Sequence, residues 1–453
     1  MTIDIRARLA VVLPGIRQDL EDLVRIESVS ADPARASEVE RSAEATEALF
    51  AAEGFETEIV RAFDGAPPAV IAKKAGPAGA PTVLLYAHHD VQPENDHADW
   101  DSPPFEPTAR EDGRGDVRLF GRGAADDKAG IAAHLGAVRI FGDELPVNLV
   151  MFIEGEEEVG SDTLVDLLNT YKDRLEADVI VIADSGNWDI GEPALTTSLR
   201  GLVRMDVGVR TLSHAVHSGM WGGLVPDSIM ALSRLIASLH DDAGNLLIEG
   251  LHSGPAADVD YPEARLRAES GAAEGIEWIG TGSAVERLWT QPALSITGFD
   301  APKVDGASNT LVPMSRCRIS LRVAPGDTTA NAVTCLQAHL EKHVPWGATL
   351  TTTVVDTGEA TKIDATGPAY DAARAAFAEA WDGTEPVDMG VGGSIPFIAE
   401  FLETFPQASV LVTGVEDPDT RAHGANEGLH LAEFEKVVLA EALLLRNIGQ
   451  LDR

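Results

Sequence analysis

The chain has 453 residues, too many for one ordinary hydrophobic core, so two or three domains are expected. Acids outnumber bases 73 to 35 and give a net charge of −38, which excludes the basic face that nucleic acid or an anionic membrane requires. No apolar run is long enough to span a bilayer. Met1 to Arg8 carries no h-region of a signal peptide, and two cysteines, Cys317 and Cys335, fit a reducing cytoplasm better than a disulfide framework.

Residues 5–26 carry apolar side chains at helical spacing, with Pro14 expected to break or kink the pattern. A second helix is expected over 36–53, stopped by Gly54. Strands follow at 57–61, 69–73 and 82–86. The third ends abruptly in His88-His89-Asp90, which core packing does not ask for. A polar loop rich in Pro, Asp and Glu, 92–115, comes next.

Gly121-Arg122-Gly123-Ala124-Ala125-Asp126-Asp127 then leads into a helix over 128–141. A glycine loop before a helix can cradle phosphate. Two adjacent aspartates repel phosphate, however, and suit a cation. The buried strand 148–153 runs into Glu154-Gly155-Glu156-Glu157-Glu158, and the strand 177–183 ends in Asp184. Three successive apolar strands with intervening helices make a βαβ series. Ligands gather beyond the carboxyl ends of such strands.

From about Gly201 the pattern alternates, as in half-buried antiparallel strands: 202–210, 293–297 and 316–323, with helices at 227–239 and 329–343. A polar stretch, 241–282, interrupts this part. From about 367 the earlier pattern resumes, with a glycine loop at 388–396, a strand at 409–413, the segment Ala422-His423-Gly424-Ala425-Asn426-Glu427 and a final helix over 431–444.

His88, Asp126, Glu158, Asp184 and His423 make two imidazoles and three carboxylates. Two divalent ions sharing one carboxylate, with about two further ligands each, need that count. Such donors suit zinc, manganese or cobalt, which spacing does not separate. Glu157, beside a ligand, is a candidate general base for a metal-bound water. Asp90 shares a strand face with His88 and is a candidate orienter of its ring. His89 points to the other face and reads as structural.

Tyr86 to Pro93, Gly121 to Lys128, Glu154 to Ser161, Gly392 to Pro396 and Ala422 to Glu427 resemble, in order, the motifs of the two-metal exopeptidase superfamily. That superfamily embraces aminoacylase, carnosine dipeptidase, glutamate carboxypeptidase and succinyl-diaminopimelate desuccinylase. The Gln92-Pro93 ending and the Gly392-Gly393-Ser394-Ile395-Pro396 loop are most similar to its cytosolic dipeptidase branch.

The resemblance implies an α/β fold: a catalytic αβα sandwich with a mixed sheet (1–200 and 370–453) and an inserted α+β lid and dimerisation domain (201–369). It implies a cytoplasmic homodimer with two divalent metal ions per subunit, zinc first and manganese or cobalt as alternatives. His88 and Asp184 hold one metal, Glu158 and His423 the other, and Asp126 bridges them across a cis Asp126–Asp127 peptide. Glu157 activates the metal-bridging water. His217, in His217-Ser218-Gly219-Met220-Trp221, binds the oxyanion in the partner's site. Arg322 holds the C-terminal carboxylate of a small peptide substrate, and Thr310 (or Asn309) and Ser394 contact substrate. Ala87 and Ala129 stand where the family usually has glycine. The activity implied is hydrolysis of dipeptides or short peptides. The alternatives are an N-acyl-amino-acid deacylase or desuccinylase and, more remotely, a non-catalytic metal-binding scaffold.

Overall fold

The computed structural model describes residues 3–255, 259–393 and 396–451. The chain divides into two compact units: Met1–Thr197, Ile363–Met389 and Glu400–Arg453 form the first, Ser198–Lys362 and Gly390–Ala399 the second.

The first unit is built on a mixed sheet. Seven of its strands are β1 (Glu56–Val60), β2 (Ala69–Lys74), β3 (Thr82–His88), β4 (Asn148–Glu154), β5 (Val179–Ile182), β6 (Ala194–Leu199) and β7 (Ser409–Val412). They run in the order β1-β2-β4-β3-β5-β7-β6. The central four, β4, β3, β5 and β7, are mutually parallel, whereas β1, β2 and β6 join antiparallel. Val83 to Ala87 in β3 and Leu149 to Ile153 in β4 are buried without a break, so both faces of the sheet are covered, as in α/β folds.

Helices α1 (Ile5–Val24), α2 (Ala36–Ala52), α3 (Lys128–Phe141), α4 (Pro368–Ala380) and α5 (Leu431–Ile448) supply much of the cover. α3 packs on β3 and is flanked by α1 and α5. Tyr86 and Phe152 meet Phe401 edge-on, at centroid distances of 5.3 and 6.2 Å. Pro14 does not divide the first helix. Its ring removes one hydrogen bond, at a cost of about 3 kcal/mol. The buried face of Leu9, Ile16, Leu20, Leu23 and Val24 offsets that, since each such side chain contributes roughly 1.5–3 kcal/mol.

The second unit holds a four-stranded antiparallel sheet in the order Ala293–Asp300, Met314–Val323, Gly201–Arg210, Thr349–Gly358. Val203, Met205, Val207, Ile319 and Leu321 face a core shared with helices Ser228–Ala237 and Thr329–His343. The alternate positions carry charge, and Arg318 pairs with Asp206 at 2.7 Å. The polar stretch 241–282 contains a helix, Glu263–Ser270. The strand Thr349–Gly358 had no counterpart among the strands expected from sequence.

Candidate metal centre

The parallel register of β4, β3 and β5 sets their carboxyl ends side by side. His88 is the last residue of β3, the Glu157–Val159 turn follows β4, and Asp184 lies two residues past β5. Asp126 comes from the glycine loop before α3, where Asp127 caps the helix by accepting the Gly130 N–H. Gly123 (φ +79°) is required in that loop, because a Cβ there would meet Val91 Cγ1 at 2.5 Å. The Asp126–Asp127 peptide is cis.

The two oxygens of Asp126 face two histidines. Oδ1 lies 3.2 Å from His88 Nε2, and Oδ2 lies 3.0 Å from His423 Nε2. On one side His88 Nε2 is also 3.8 Å from Asp184. On the other, His423 Nε2 is 3.2 Å from Glu158. Within each trio, His88–Asp126–Asp184 and Asp126–Glu158–His423, one ligand atom per residue falls within 4.8 Å of the others. His88 is fully buried, while 60% of the His423 side chain is exposed. His423 is presented with a left-handed backbone, φ +60°.

The electrostatics show what the trios attract. Burial and the Asp126 charge push the Glu158 carboxyl up to about 7. Burial, then Asp184, raises Glu157 well above the usual carboxylate range. Glu416, which the sequence reading passed over, is raised by burial and by Asp126 and Asp184. His423 is pushed up to about 11 by its hydrogen bonds to Asp126 and Glu158. Burial opposes charging His88, yet its bonds to Asp126, Asp184 and Asp90 outweigh it and raise the imidazole. Crowded carboxylates that draw protons onto two imidazoles are a donor set matched to cations, so the residues present fit a pair of divalent ions.

The glutamate run is not a solvated face. Glu154 accepts the Tyr86 hydroxyl at 2.7 Å, and Glu156 accepts the Thr163 N–H at 2.7 Å. Glu158 accepts from the Gln92 main chain at 3.0 Å and its side-chain amide at 2.8 Å. Gln92 was visible only as part of a motif, with no role attached. Asp90 is buried with its carboxylate 3.5 Å from His88 Nδ1; its own carbonyl is nearer, at 3.1 Å. His89 turns away and donates from Nε2 to the Pro68 carbonyl at 2.9 Å. Gly155 makes room there, since a Cβ would come within 2.6 Å of the His89 ring.

In the second unit His217 and Thr310 face each other across a two-residue antiparallel pairing. His217 is exposed and accepts the Gly219 N–H at Nδ1, 3.0 Å away. Arg322 is half-buried on the strand Met314–Val323, and among the described residues no carboxylate pairs with it. Asn309 accepts the Ser218 N–H at its carbonyl. Ser394 lies outside the described residues.

The model of peptidase family M20/M25/M40 matches residues 84–447. A cysteinylglycine-S-conjugate dipeptidase of Corynebacterium striatum is 33% identical over 443 residues, covering 96% of each chain. A Beta-Ala-His dipeptidase of Rattus norvegicus is 29% identical over 80% of this chain and 76% of its own. Among solved structures, human carnosine dipeptidase 1 is similar with a TM-score of 0.79 and 26% identity, covering 99% of this chain and 98% of its own. The di-peptidase Dug1p of Saccharomyces cerevisiae gives 0.80 and 25%, with both chains covered in full. The chain belongs to peptidase family M20/M25/M40.

Proposed function

We propose that the protein is a two-metal dipeptidase that hydrolyses the peptide bond of dipeptides or short peptides. The observation that carries this reading is Asp126 shared between two imidazole–carboxylate groups, with Glu157 beside one of them. The named relatives that support the substrate class are dipeptidases.

His88 and Asp184 would hold one ion, Glu158 and His423 the other, and Asp126 both; zinc suits the set, with manganese or cobalt as alternatives. Bound there, two divalent cations supply Lewis acidity to the scissile carbonyl and acidify an attacking water. Glu157 accepts a proton from that water and returns it to the leaving nitrogen. Its raised affinity for protons, from burial and the neighbouring acids, suits a group that must both take and release one. Asp90 fixes the His88 ring and the Glu157 turn. In the second unit, Arg322 offers a guanidinium fork for the substrate's terminal carboxylate. His217, on the partner subunit of a homodimer, donates to the developing oxyanion. Thr310 and Ser394 contact the substrate. Cys317 and Cys335 are both free, which fits a reducing cytoplasm.

The test is a hydrolysis screen of dipeptides, cysteinylglycine and β-alanylhistidine included, against N-acetyl and N-succinyl amino acids. It is run before and after chelation and after return of zinc, manganese or cobalt. Dipeptide turnover lost on chelation and restored by metal is expected. Turnover of acyl-amino acids alone replaces the dipeptidase reading with a deacylase.

A further inference from the structure

Glu427 is not in the ligand set, yet it is wholly buried and its carboxylate is fully engaged. Oε2 accepts from Arg122 Nη1 at 2.6 Å and from the Gly123 N–H at 3.1 Å. Oε1 accepts the N–H of Ala125 at 2.9 Å and of Asp126 at 3.1 Å. All four donors belong to the loop 122–126, which ends at the shared carboxylate. The contact extends to main-chain acceptors: Gly121 N–H donates to the Glu427 carbonyl at 3.1 Å, and Arg122 Nη2 donates to the carbonyl of Gly424, next to His423, at 3.0 Å.

The other end of the His423 loop is also tied down. Asp417 accepts both terminal nitrogens of Arg118, at 2.9 and 2.7 Å, and Arg118 also donates to the Gly428 carbonyl at 3.1 Å. Arg118 and Arg122 are 2% and 1% exposed at their side chains, so both pairs are out of water. His423 therefore sits in a left-handed conformation inside a loop whose two ends are each fixed by a buried arginine–carboxylate pair.

We propose that Glu427 is a positioning residue that couples the two ligand loops. Its side chain sets the main chain of Asp126, while its own segment carries His423, so the Asp126–Glu158–His423 group assembles as one unit. This rests on the two-metal reading. The role asks for a carboxylate specifically. A glutamine has one acceptor oxygen, and its NH₂ would confront either the Gly123 N–H and Arg122 or the Ala125 and Asp126 N–H groups. It also leaves Arg122 buried without its counter-charge. The consequence is asymmetric: His423 belongs to one trio only, so that group depends on Glu427 through two ligands and the His88–Asp126–Asp184 group through one.

The experiment titrates full-length protein with zinc against a competing chelator, for wild type, Glu427→Gln and Glu441→Gln. Glu441 is a matched control: a buried carboxylate bonded to His134 at 2.9 Å, on α5 and outside both loops. Wild type is expected to bind two equivalents. Glu427→Gln should keep one within about threefold of wild type and bind the other roughly 10–100-fold more weakly, the size usual when a partner of a metal ligand is lost. The rise in Tm on adding zinc should shrink with it. Glu441→Gln should lower the Tm of metal-free protein while both zinc affinities stay unchanged. Two equivalents of wild-type affinity in Glu427→Gln overturn the proposal, as does equal weakening of both. Should Glu427→Gln fail to fold, Glu427→Asp, which keeps the charge but shortens the reach to Ala125 and Asp126, is titrated instead with the same expectation. If neither folds, Glu427 serves folding alone and the proposal falls. A wild type that binds fewer than two equivalents sinks the two-metal reading itself.

Discussion

The carboxylate of Asp90 accepts the backbone N–H of Glu157 at 3.2 Å. Its other oxygen accepts the N–H of Glu158 at 3.1 Å, and the same side chain lies beside His88. One buried residue therefore meets the ring of a candidate ligand, most closely through its carbonyl, and fixes the main chain of the candidate base through its carboxylate. Asp90→Asn should lower kcat by about 10–100-fold, with a smaller effect on KM. An asparagine offers one acceptor where two are used, so the turn at Glu157 loses a support even if His88 keeps its place. Steady-state kinetics with metal content measured in parallel check this; wild-type kcat would remove Asp90 from the site.

Glu157 lies outside both trios, so replacing it should leave the ions in place. Glu157→Gln keeps shape and removes proton transfer. The expected loss is roughly 10²–10⁴-fold in kcat, the range of a general acid–base group. Metal stoichiometry should match wild type. Activity within a few-fold of wild type would show that another group takes the proton.

His89 makes an acid-sensitivity prediction with a definite sign. Burial lowers it from its ordinary 6.5 to about 4, so the fold holds it neutral. The unfolded chain binds the proton more readily in that interval. Its contribution to stability is complete above pH 6.5 and is lost as pH falls toward 4. Glu154 works in the opposite sense: burial raises it to about 7, so its contribution is complete below 4.5 and is lost as pH rises through 7. His89→Gln keeps a donor for the Pro68 carbonyl and removes the titration. Urea unfolding of metal-free protein between pH 4 and 7 should show a flatter acid limb than wild type. An unchanged slope would mean that other groups govern acid unfolding.

The helices and central strands were legible because their apolar periodicity is strong; His88 and Asp184 stood out as polar residues where buried strands end, and Asp126 as one of two adjacent aspartates in a glycine loop before a helix. The pairing that holds the Asp126 loop was not legible. Arg122 and Glu427 are 305 residues apart, and each read as one letter of a local motif. The run Glu154 to Glu158 gives no hint that Glu154, Glu156 and Glu158 go to separate partners, which are Tyr86 for the first, Thr163 for the second, and Gln92 and His423 for the third. The strand Thr349–Gly358 escaped notice because it is threonine-rich and largely exposed, which leaves no apolar alternation to read. At Pro14 the break that the local rule allows does not occur, because a buried helix face overrides it.

Arg322 is half-buried with no carboxylate partner among the described residues, and burial lowers its affinity for the proton. A substrate carboxylate would supply the missing charge. Arg322→Lys keeps the charge and loses the fork, so KM should rise roughly tenfold or more while kcat changes little, the pattern of lost uniform binding. A peptide amidated at its C-terminus should be a poor substrate for wild type and no worse for the variant. If the variant discriminates between acid and amide as wild type does, another cation holds that end.

His217 lies on the second unit, in the His217–Thr310 pairing, and its proposed partner is the site of another subunit. His217→Ala should lower kcat far more than it changes KM, as an interaction made mainly in the transition state requires. Mixing decides whether it acts across the dimer. A mixed dimer of His217→Ala and Glu157→Gln chains contains one site with an intact Glu157 from the first chain and an intact His217 from the second. If His217 acts in trans, that site works, and unfolding and refolding the two inactive proteins together should recover about a quarter of wild-type activity: half of the dimers are mixed, each with one working site of two. If His217 acts within its own subunit, every site in the mixture carries a defect and activity stays at the level of the parents. Protein that sedimented as a monomer while fully active would exclude the trans role outright.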